Sequence, residues 1–324
     1  MNPSNKILLK GWIMETNRLT GMAVCTLVLL ISGAAVAPSQ HPAFENNPFF
    51  GRNDSTMYKP AKQAHGGAGV LSYMQTTPGD AFSSNFIFLH RGIMKPKSGI
   101  GEHAHRRMEE MYFVLDHYAE FTVHGKTSVI PAVGMVLCPM GSSHGIYNPT
   151  DNPVEWMNFG VSNDNRQYDA VNFNNEGDDL VGRDLESPPP FTWAVLNSEM
   201  LRPVENLYGG RDTVFAREVW DKNDFRSYWA YVRHYRLPPG SSIGLNRNDE
   251  MEVVYYILKG RGRGTVNDAT YDIVAGDSMS CTLHNAFGVF NNSRDDLEII
   301  AVGVSMTKGV VVEGTALGDD LTER

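Results

Sequence analysis

Residues 103–115 read HAHRRMEEMYFVL, and residues 139–148 read PMGSSHGIYN. The first stretch opens with His103 and His105, which are two positions apart, and Glu110 follows just before an apolar run. Side chains two positions apart on a β-strand lie on the same face of that strand. We therefore expect the two imidazole groups to share one face of a β-strand.

Short β-type runs separated by turns surround these two stretches. No long segment carries the hydrophobic period of an amphipathic helix. Many short strands at this spacing are typical of a β-sandwich or β-barrel, so the chain is expected to be all-β. The clearest runs are residues 86–89, 111–115, 121–123, 136–138 and 154–161.

The chain also contains an internal repeat, because a displacement of 143 residues aligns two blocks of it almost without gaps. A single displacement that holds over such a length identifies two copies of one domain. The matched positions include Ile100 and Ile243, Met108 and Met251, Tyr112 and Tyr255, Cys138 and Cys281, Asn148 and Asn291, and Glu155 and Glu298.

The first copy resembles the cupin superfamily. Its His-x-His pair, followed by a glutamate and a strand, resembles the first cupin motif, and residues 139–148 match the second motif, Pro-x-Gly-x-x-His-x-x-x-Asn, at every defined position. The resemblance implies two tandem cupin barrels, which are double-stranded β-helices of the jelly-roll type. The chain departs from the pattern at His117, where the family usually has a glycine, and in a spacing between Gly134 and Pro139 that is one residue short.

Carried over by position, the resemblance assigns His103, His105, Glu110 and His144 as metal ligands, with Glu109 as the alternative carboxylate. Three imidazoles and one carboxylate suit one divalent transition metal, namely Fe, Mn, Ni, Cu or Zn. An octahedral ion would keep two positions open for water, substrate or dioxygen, which is the pattern of a catalytic site.

The second copy lacks this ligand set. At the same displacement, the four ligand positions hold Asn246, Asn248, Val253 and Phe287. His284 aligns with a glycine of the first copy and not with its third histidine. The sequence therefore predicts one metal ion per chain, bound by the first copy, and a degenerate second copy that binds none.

Two further side chains are candidates for general acid–base catalysis, Tyr112 and His117. Three arginines, Arg91, Arg106 and Arg107, offer guanidinium groups that suit a substrate carboxylate. Charged residues in turns are more often simply solvated, so these arginines are the weaker candidates.

The N-terminal segment resembles a Sec-type signal peptide. Basic residues precede an apolar run over residues 22–31, which is too short to span a bilayer, and small residues follow through Ala37. We expect a secreted or periplasmic protein without a membrane span in its mature form. The alternatives are a retained membrane anchor and a start at Met14.

Charge and cysteine positions limit the function further. The formal net charge is −9 and no basic run occurs, so a nucleic-acid partner is not expected. Cys138 and Cys281 occupy equivalent positions of two separate copies, within apolar strands. Such positions rarely lie within disulfide distance, so both are expected to be buried thiols.

These features predict an order of segments along the chain and three classes of function. The expected partners are a small-molecule substrate and, through strand exchange, a second copy of the chain. The first function is an oxygen-dependent oxidoreductase of the dioxygenase or decarboxylase type. The second is a redox-neutral lyase, isomerase or hydrolase that acts on a sugar acid or related carboxylate. The third is a non-catalytic binding protein. The segments are a signal peptide (1–37), an N-terminal arm (38–80), a metal-binding cupin domain (81–165), a linker (166–212), a degenerate cupin domain (213–313) and a tail (314–324).

Overall fold

The computed structural model describes residue 44, residues 47–173 and residues 180–324. The described part is all-β, with five short 3-10 turns and no α-helix among its residues, which confirms the predicted fold class. No helix in these ranges is long and apolar enough to cross a membrane. The predicted signal peptide, residues 1–37, lies outside the described residues.

The first thirteen strands lie between Phe50 and Val195. Short polar turns separate them, as the turn-rich sequence predicts. They are β1 (Phe50–Gly51), β2 (Lys59–Lys62), β3 (Val70–Pro78), β4 (Phe86–Met94), β5 (Gly99–Ala104), β6 (Met108–Val114), β7 (Tyr118–Val123), β8 (Lys126–Pro131), β9 (Gly134–Cys138), β10 (Ser143–Tyr147), β11 (Val154–Ser162), β12 (Val171–Asn172) and β13 (Trp193–Val195).

Eleven strands complete the described chain. They are β14 (Arg202–Glu205), β15 (Thr213–Trp220), β16 (Trp229–Leu237), β17 (Ser242–Arg247), β18 (Met251–Lys259), β19 (Arg261–Val266), β20 (Ala269–Val274), β21 (Ser278–Cys281), β22 (Ala286–Phe290), β23 (Leu297–Ser305) and β24 (Thr315–Ala316). The 3-10 turns are Ser55–Met57, Ala64–Gly66, Gly79–Ala81, Ser198–Met200 and Leu207–Gly209.

Each copy of the repeat closes two antiparallel sheets into a barrel. In the first barrel, a seven-stranded sheet of order β13-β9-β6-β11-β4-β3-β2 faces a five-stranded sheet of order β12-β5-β10-β7-β8. The second barrel has sheets of order β1-β21-β18-β23-β16-β15-β14 and β20-β19-β22-β17-β24. Two equivalent sheets therefore recur in the same order, as expected for two copies of one domain.

Side-chain alternation along the strands divides the apolar residues among three cores. Tyr112 and Val114 of β6 point into the first barrel, whereas Met111 and Phe113 point to the opposite face. The outward residues pack against the corresponding face of the second barrel, where Tyr256 is one of their partners. The two seven-stranded sheets are thus packed face to face, and their shared apolar core joins the barrels.

The barrels also exchange their first strands. β1 precedes the first barrel but pairs with β21 of the second, with Phe50 opposite Met279. β13 precedes the second barrel but pairs with β9 of the first, with Trp193 opposite Val136. Strand exchange therefore occurs within this chain, between its two copies. Association with a second copy of the chain stays a prediction.

Two buried glutamates bind the barrels to each other reciprocally. Both oxygens of the Glu109 carboxylate accept hydrogen bonds at 2.9–3.1 Å from the backbone N–H groups of residues 226 and 227, in the second barrel. Glu252 accepts the equivalent bonds from residues 83 and 84, in the first barrel, at 3.1 and 2.7 Å. Both glutamates are fully buried, so each one satisfies donors that water does not reach.

In the connecting segments, the structure differs from what the sequence predicts. Strands β2 and β3 lie within residues 38–80, where an arm is expected, and β14 lies within residues 166–212, where a linker is expected. Strands β2 and β14 are short, contain charged residues and proline, and lie at the edges of their sheets, so their sequences lack the apolar alternation of a buried strand. The two cysteines are free and buried, which confirms that expectation.

We predict that Glu252→Ala destabilises the fold while Glu250→Ala does not. The first substitution leaves buried N–H groups without an acceptor, which is expected to lower the free energy of unfolding by about 2–4 kcal/mol. Glu250 is exposed, so its loss should change that free energy by less than about 0.5 kcal/mol. Urea unfolding of both variants checks this. Equal stability would contradict the bracing role of the Glu252 carboxylate, which is to hold the two barrels together.

Candidate metal centre

Three strands and one strand end bring the four predicted ligands together inside the first barrel. His103 lies on β5, and His105 follows the end of that strand. His144 lies on β10 directly opposite His103, and Glu110 enters from β6 in the facing sheet. One ligand atom from each of these four residues lies within 4.8 Å of the others, and all four residues are buried.

Backbone carbonyl groups orient the three imidazole rings. Nδ1 of His103 lies 2.8 Å from the carbonyl oxygen of Gly101, and Nδ1 of His144 lies 3.3 Å from that of Ser142. Nδ1 of His105 is hydrogen-bonded to another backbone oxygen, that of Asp169. Because each Nδ1 is directed at a backbone oxygen, each Nε2 faces the interior of the cluster, as in a histidine that binds a metal through Nε2.

The carboxylate of Glu110 completes the cluster. Its Oε2 lies 3.1 Å from Nε2 of His144 and 3.4 Å from Nε2 of His105. Its Oε1 accepts a hydrogen bond of 3.3 Å from Nδ2 of Asn158, which fixes the group. Nε2 of His105 is buried and makes no hydrogen bond, an arrangement that a bound cation would satisfy.

The electrostatics of the cluster also suit a cation. Burial opposes ionisation of Glu110, but the neighbouring His105 and His144 hold the pKa of its carboxyl well below the usual range. Burial, together with the nearby imidazoles, lowers the pKa of His103 to about 2. The carboxylate is therefore an anion and this imidazole is neutral, which are the forms that coordinate metals.

Glu109, the alternative carboxylate, lies on the other face of β6. Its oxygens are occupied by backbone N–H groups of the second barrel, so it is not near the imidazoles. Among the described residues, the cluster of three histidines and Glu110 is the one such group able to hold a metal ion.

The second barrel keeps the backbone partners of the site but not its ligands. Nδ2 of Asn246 donates to the carbonyl oxygen of Gly244 at 3.0 Å, in the place of the His103 bond to Gly101. Nδ2 of Asn248 likewise donates to the carbonyl oxygen of Val312 at 2.6 Å, in the place of the His105 bond. The two amide groups thus donate to the backbone carbonyl groups whose equivalents in the first barrel orient the imidazole rings.

Apolar volume fills the remaining space of that barrel. Val253 and Phe287 belong to its buried core, and the ring of Phe287 contacts that of Tyr255 edge to face at 5.8 Å between centroids. His284 lies outside the barrel, with 72% of its side chain exposed, and its Nδ1 is 2.9 Å from Asp249. At the four positions equivalent to the ligands, the second barrel therefore has no histidine, whereas the first has three.

The two candidate acid–base residues have opposite positions. Tyr112 is buried beside the cluster, and burial together with the Glu110 carboxylate raises the pKa of its phenol well above the usual value. His117 lies outside the site: 46% of its side chain is exposed, and it is paired with Asp116 at 3.3 Å. The expectation that His117 serves the site is not supported, because it occupies a left-handed turn (φ 49°) that directs it away from the barrel interior.

The same turn explains the departure from the cupin pattern. The equivalent residue of the second copy is Gly260, which also has a positive φ, of 82°. The position requires the left-handed conformation that glycine adopts without strain. His117 therefore replaces a glycine in an unchanged turn.

The three candidate arginines do not line the cavity beside the cluster. Arg91 is buried at the contact between the barrels, where its Nε donates to the Tyr256 hydroxyl at 3.0 Å. Arg107 is paired with Asp164 at 3.0 Å on the surface. Arg106 is also exposed.

A cavity of about 380 Å³ lies beside the cluster, and Glu110 and Tyr112 form part of its wall. Its other walls are mostly aromatic or neutral and polar. They include Tyr73, Gln75, Phe88, His90, Trp156, Asn158 and Tyr168.

His65 is a residue of this site that the sequence analysis does not find. Its ring stacks on that of His103 at 3.9 Å between centroids and an interplanar angle of 7°. Its Nδ1 lies 2.8 Å from Oδ1 of Asn172, and its Nε2 lies 3.2 Å from the hydroxyl of Tyr168. The repeat offers one signal in the sequence, because it extends N-terminal to the aligned blocks. At the displacement of 143 residues His65 aligns with Tyr208, and both residues have left-handed backbone.

Comparison with known proteins agrees with this geometry. The family profile described as a cupin domain matches residues 90–160 and again residues 233–303. An oxalate-binding protein from Thermotoga maritima is 30% identical over 113 residues, which are 34% of this chain and 93% of the relative. This chain belongs to the cupin family and contains two tandem cupin domains.

Solved structures show the same fold at low identity. A mutant of the oxalate decarboxylase of Bacillus subtilis matches with a TM-score of 0.57 and 14% identity, over 82% of this chain and 79% of the other. AerE from Microcystis aeruginosa matches at 0.52 and 14%, over 80% and 99%. Vicilin from Corylus avellana matches at 0.55 and 12%, over 80% and 87%. In its arrangement of barrels the chain resembles oxalate decarboxylase, and the predicted fold of two tandem cupin barrels is confirmed.

We predict that one metal ion binds per chain and that its binding depends on the first barrel alone. His105→Ala should remove most of the metal, because it takes away one of four ligands. His284→Ala is the matched control and should leave the metal content unchanged, because His284 is exposed and distant from the cluster. Elemental analysis of both purified variants checks this. A second tightly bound ion that is lost in His284→Ala would show that the second barrel holds its own site.

Proposed function

We propose that this protein is a metal-dependent enzyme that acts on a small carboxylate bound directly to the metal. One observation carries the proposal. The buried cluster of three histidines and Glu110 opens onto a cavity of about 380 Å³, and Glu110 belongs to both. A cavity of this size next to a metal with open positions is suited to hold one small molecule against the ion.

His103, His105, Glu110 and His144 would hold the metal, and the four donor groups fit a divalent transition ion. When bound, the ion would supply Lewis acidity or, if it is redox-active, reactivity toward dioxygen. The chain's own contribution is rigidity, since backbone carbonyl groups hold the rings and Asn158 holds the carboxylate. Such preorganisation lets donor atoms keep their positions as charge develops on a substrate.

We assign the proton-transfer role to His65 and Tyr168 in place of His117. Tyr168 is half exposed, and its hydroxyl lies 3.2 Å from Nε2 of His65, which lines the cavity. Burial raises the pKa of the Tyr168 phenol, so Tyr168 keeps its proton and donates a hydrogen bond to Nε2 of His65. Burial lowers the pKa of His65, so its neutral imidazole is the proton acceptor of the pair, which connects the cavity with the surface. Tyr112 keeps its proton because its pKa is raised, so its proposed role is to donate a hydrogen bond rather than to act as a base.

The names of relatives suggest where substrate screening should begin. One relative is an oxalate-binding protein, and a mutant of an oxalate decarboxylase shares the fold. Oxalate and other small carboxylates are therefore the first compounds to test. The binding relative also supports the second candidate function, a protein that binds a carboxylate without converting it.

The test is a screen of the metal-loaded protein with oxalate, 2-oxo acids, 2-hydroxy acids and sugar acids, with and without dioxygen. We expect metal-dependent turnover of a carboxylate, measured as oxygen uptake, carbon dioxide release or loss of substrate. His105→Ala should abolish that turnover. Oxygen uptake indicates the oxidoreductase, and anaerobic turnover indicates the lyase or isomerase. Binding of carboxylates without any turnover identifies the binding protein, and absence of metal-dependent binding contradicts the proposal.

We also propose that the protein is exported to the periplasm or the medium. The proposal rests on the apolar run over residues 22–31 and the small residues that follow it. The intact mass of the exported protein should lack the residues up to about Ala37. A full-length mass would contradict cleavage at this position.

A further inference from the structure

The walls of the cavity beside Glu110 indicate more about the ligand than the presence of a carboxylate group. Rings of Tyr73, Phe88, His90 and Trp156 form a continuous aromatic surface, in which the rings of Phe88 and His90 are stacked at 4.1 Å between centroids. Tyr73 contacts His90 at 5.0 Å and Trp156 at 6.0 Å between ring centroids. A surface of this kind is suited to cover an apolar ring of the ligand.

The charge of the cavity favours a ligand with a single negative charge. Among the described residues, no lysine or arginine lines it, and Glu110 is the one acidic side chain in its wall. A divalent ion and this carboxylate together leave one positive charge for the ligand to neutralise. A dianion such as oxalate would bring a second negative charge that no side chain of the wall opposes, which is costly in a buried site.

One buried donor in the wall has no partner. Trp156 is 2% exposed and lines the cavity, and its Nε1 makes no hydrogen bond. Buried donors are normally paired, so an acceptor atom on the ligand is the simplest partner for this N–H group.

We propose that the ligand is an aromatic 2-oxo or 2-hydroxy acid, whose acid end binds the metal and whose ring lies on the aromatic wall. Such an acid carries one negative charge, and its carboxylate and adjacent oxygen occupy the two positions that an octahedral ion keeps open. One of its oxygens accepts the hydrogen bond from Nε1 of Trp156. This inference rests on the proposed function for the presence of the metal, and it adds the class of substrate.

The experiment measures binding to protein loaded with Co(II) under nitrogen, by calorimetry and by the change in the visible absorption of the ion. The probes are phenylpyruvate, pyruvate, which has the same acid end without the ring, and oxalate. Phenylpyruvate should bind about tenfold more tightly than either of the others, because burial of its ring adds apolar contact. It should also change the absorption spectrum, since it binds the ion directly.

Two tryptophan variants test the donor. Trp156→Phe keeps the aromatic ring and removes the N–H group, so the affinity for phenylpyruvate should fall about fivefold. Trp229→Phe is the matched control, because Nε1 of Trp229 is also buried without a partner but lies in the core between the barrels. That variant should bind phenylpyruvate as the unaltered protein does.

The outcomes separate this inference from the proposed function. Protein that takes up no metal contradicts the proposed function and the inference together. Metal-loaded protein that binds oxalate or pyruvate as tightly as phenylpyruvate overturns the inference alone. Equal affinities of Trp156→Phe and Trp229→Phe also overturn it. If Trp156→Phe does not fold, the comparison of the three probes on the unaltered protein still decides.

Discussion

The register of β6 links the metal centre to the contact between the barrels. Glu109 and Glu110 are consecutive, so their carboxylates leave the strand on opposite faces. Glu110 meets three imidazoles inside the barrel, and Glu109 accepts backbone hydrogen bonds from the second barrel. A slip of one residue would exchange these environments and leave both carboxylates without their partners. The ladders that β6 forms with β9 and β11 hold the register, and the site and the interface therefore form together.

The second copy keeps the buried glutamate at the contact between the barrels but has lost the ligand set inside its own barrel. Glu252 keeps the bracing role of its equivalent, Glu109, because the contact between the barrels is reciprocal and needs both carboxylates. Val253, the next residue, replaces the ligand Glu110 without consequence for that contact, because its side chain points into the second barrel. The interior of each barrel is enclosed by its own two sheets, so one can hold polar ligands while the other is packed with apolar side chains.

In the cavity beside the cluster, electrostatic attraction of an anionic ligand would depend mainly on the metal. Among the described residues, no lysine or arginine lines the cavity, so the ion would be the principal positive charge that a ligand meets. In such an environment the attraction between the ion and an anionic ligand is much stronger than in water. Orientation would then come from the wall, through the aromatic surface and the unpaired N–H group of Trp156.

The sequence by itself predicted the all-β class, the repeat and the three histidines of the cluster, and it left Glu109 as an alternative to Glu110. Strand periodicity and motif spacing are local properties, so His103 and His105 can be assigned to one strand face without knowledge of the fold. Only the tertiary structure decided that Glu109 faces the second barrel, that His117 points away from the site, and that His65 meets Tyr168. His65 and Tyr168 are 103 residues apart, and their contact depends on how two sheets close around the cluster. No local pattern encodes that closure, because it is produced by the packing of all the strands at once.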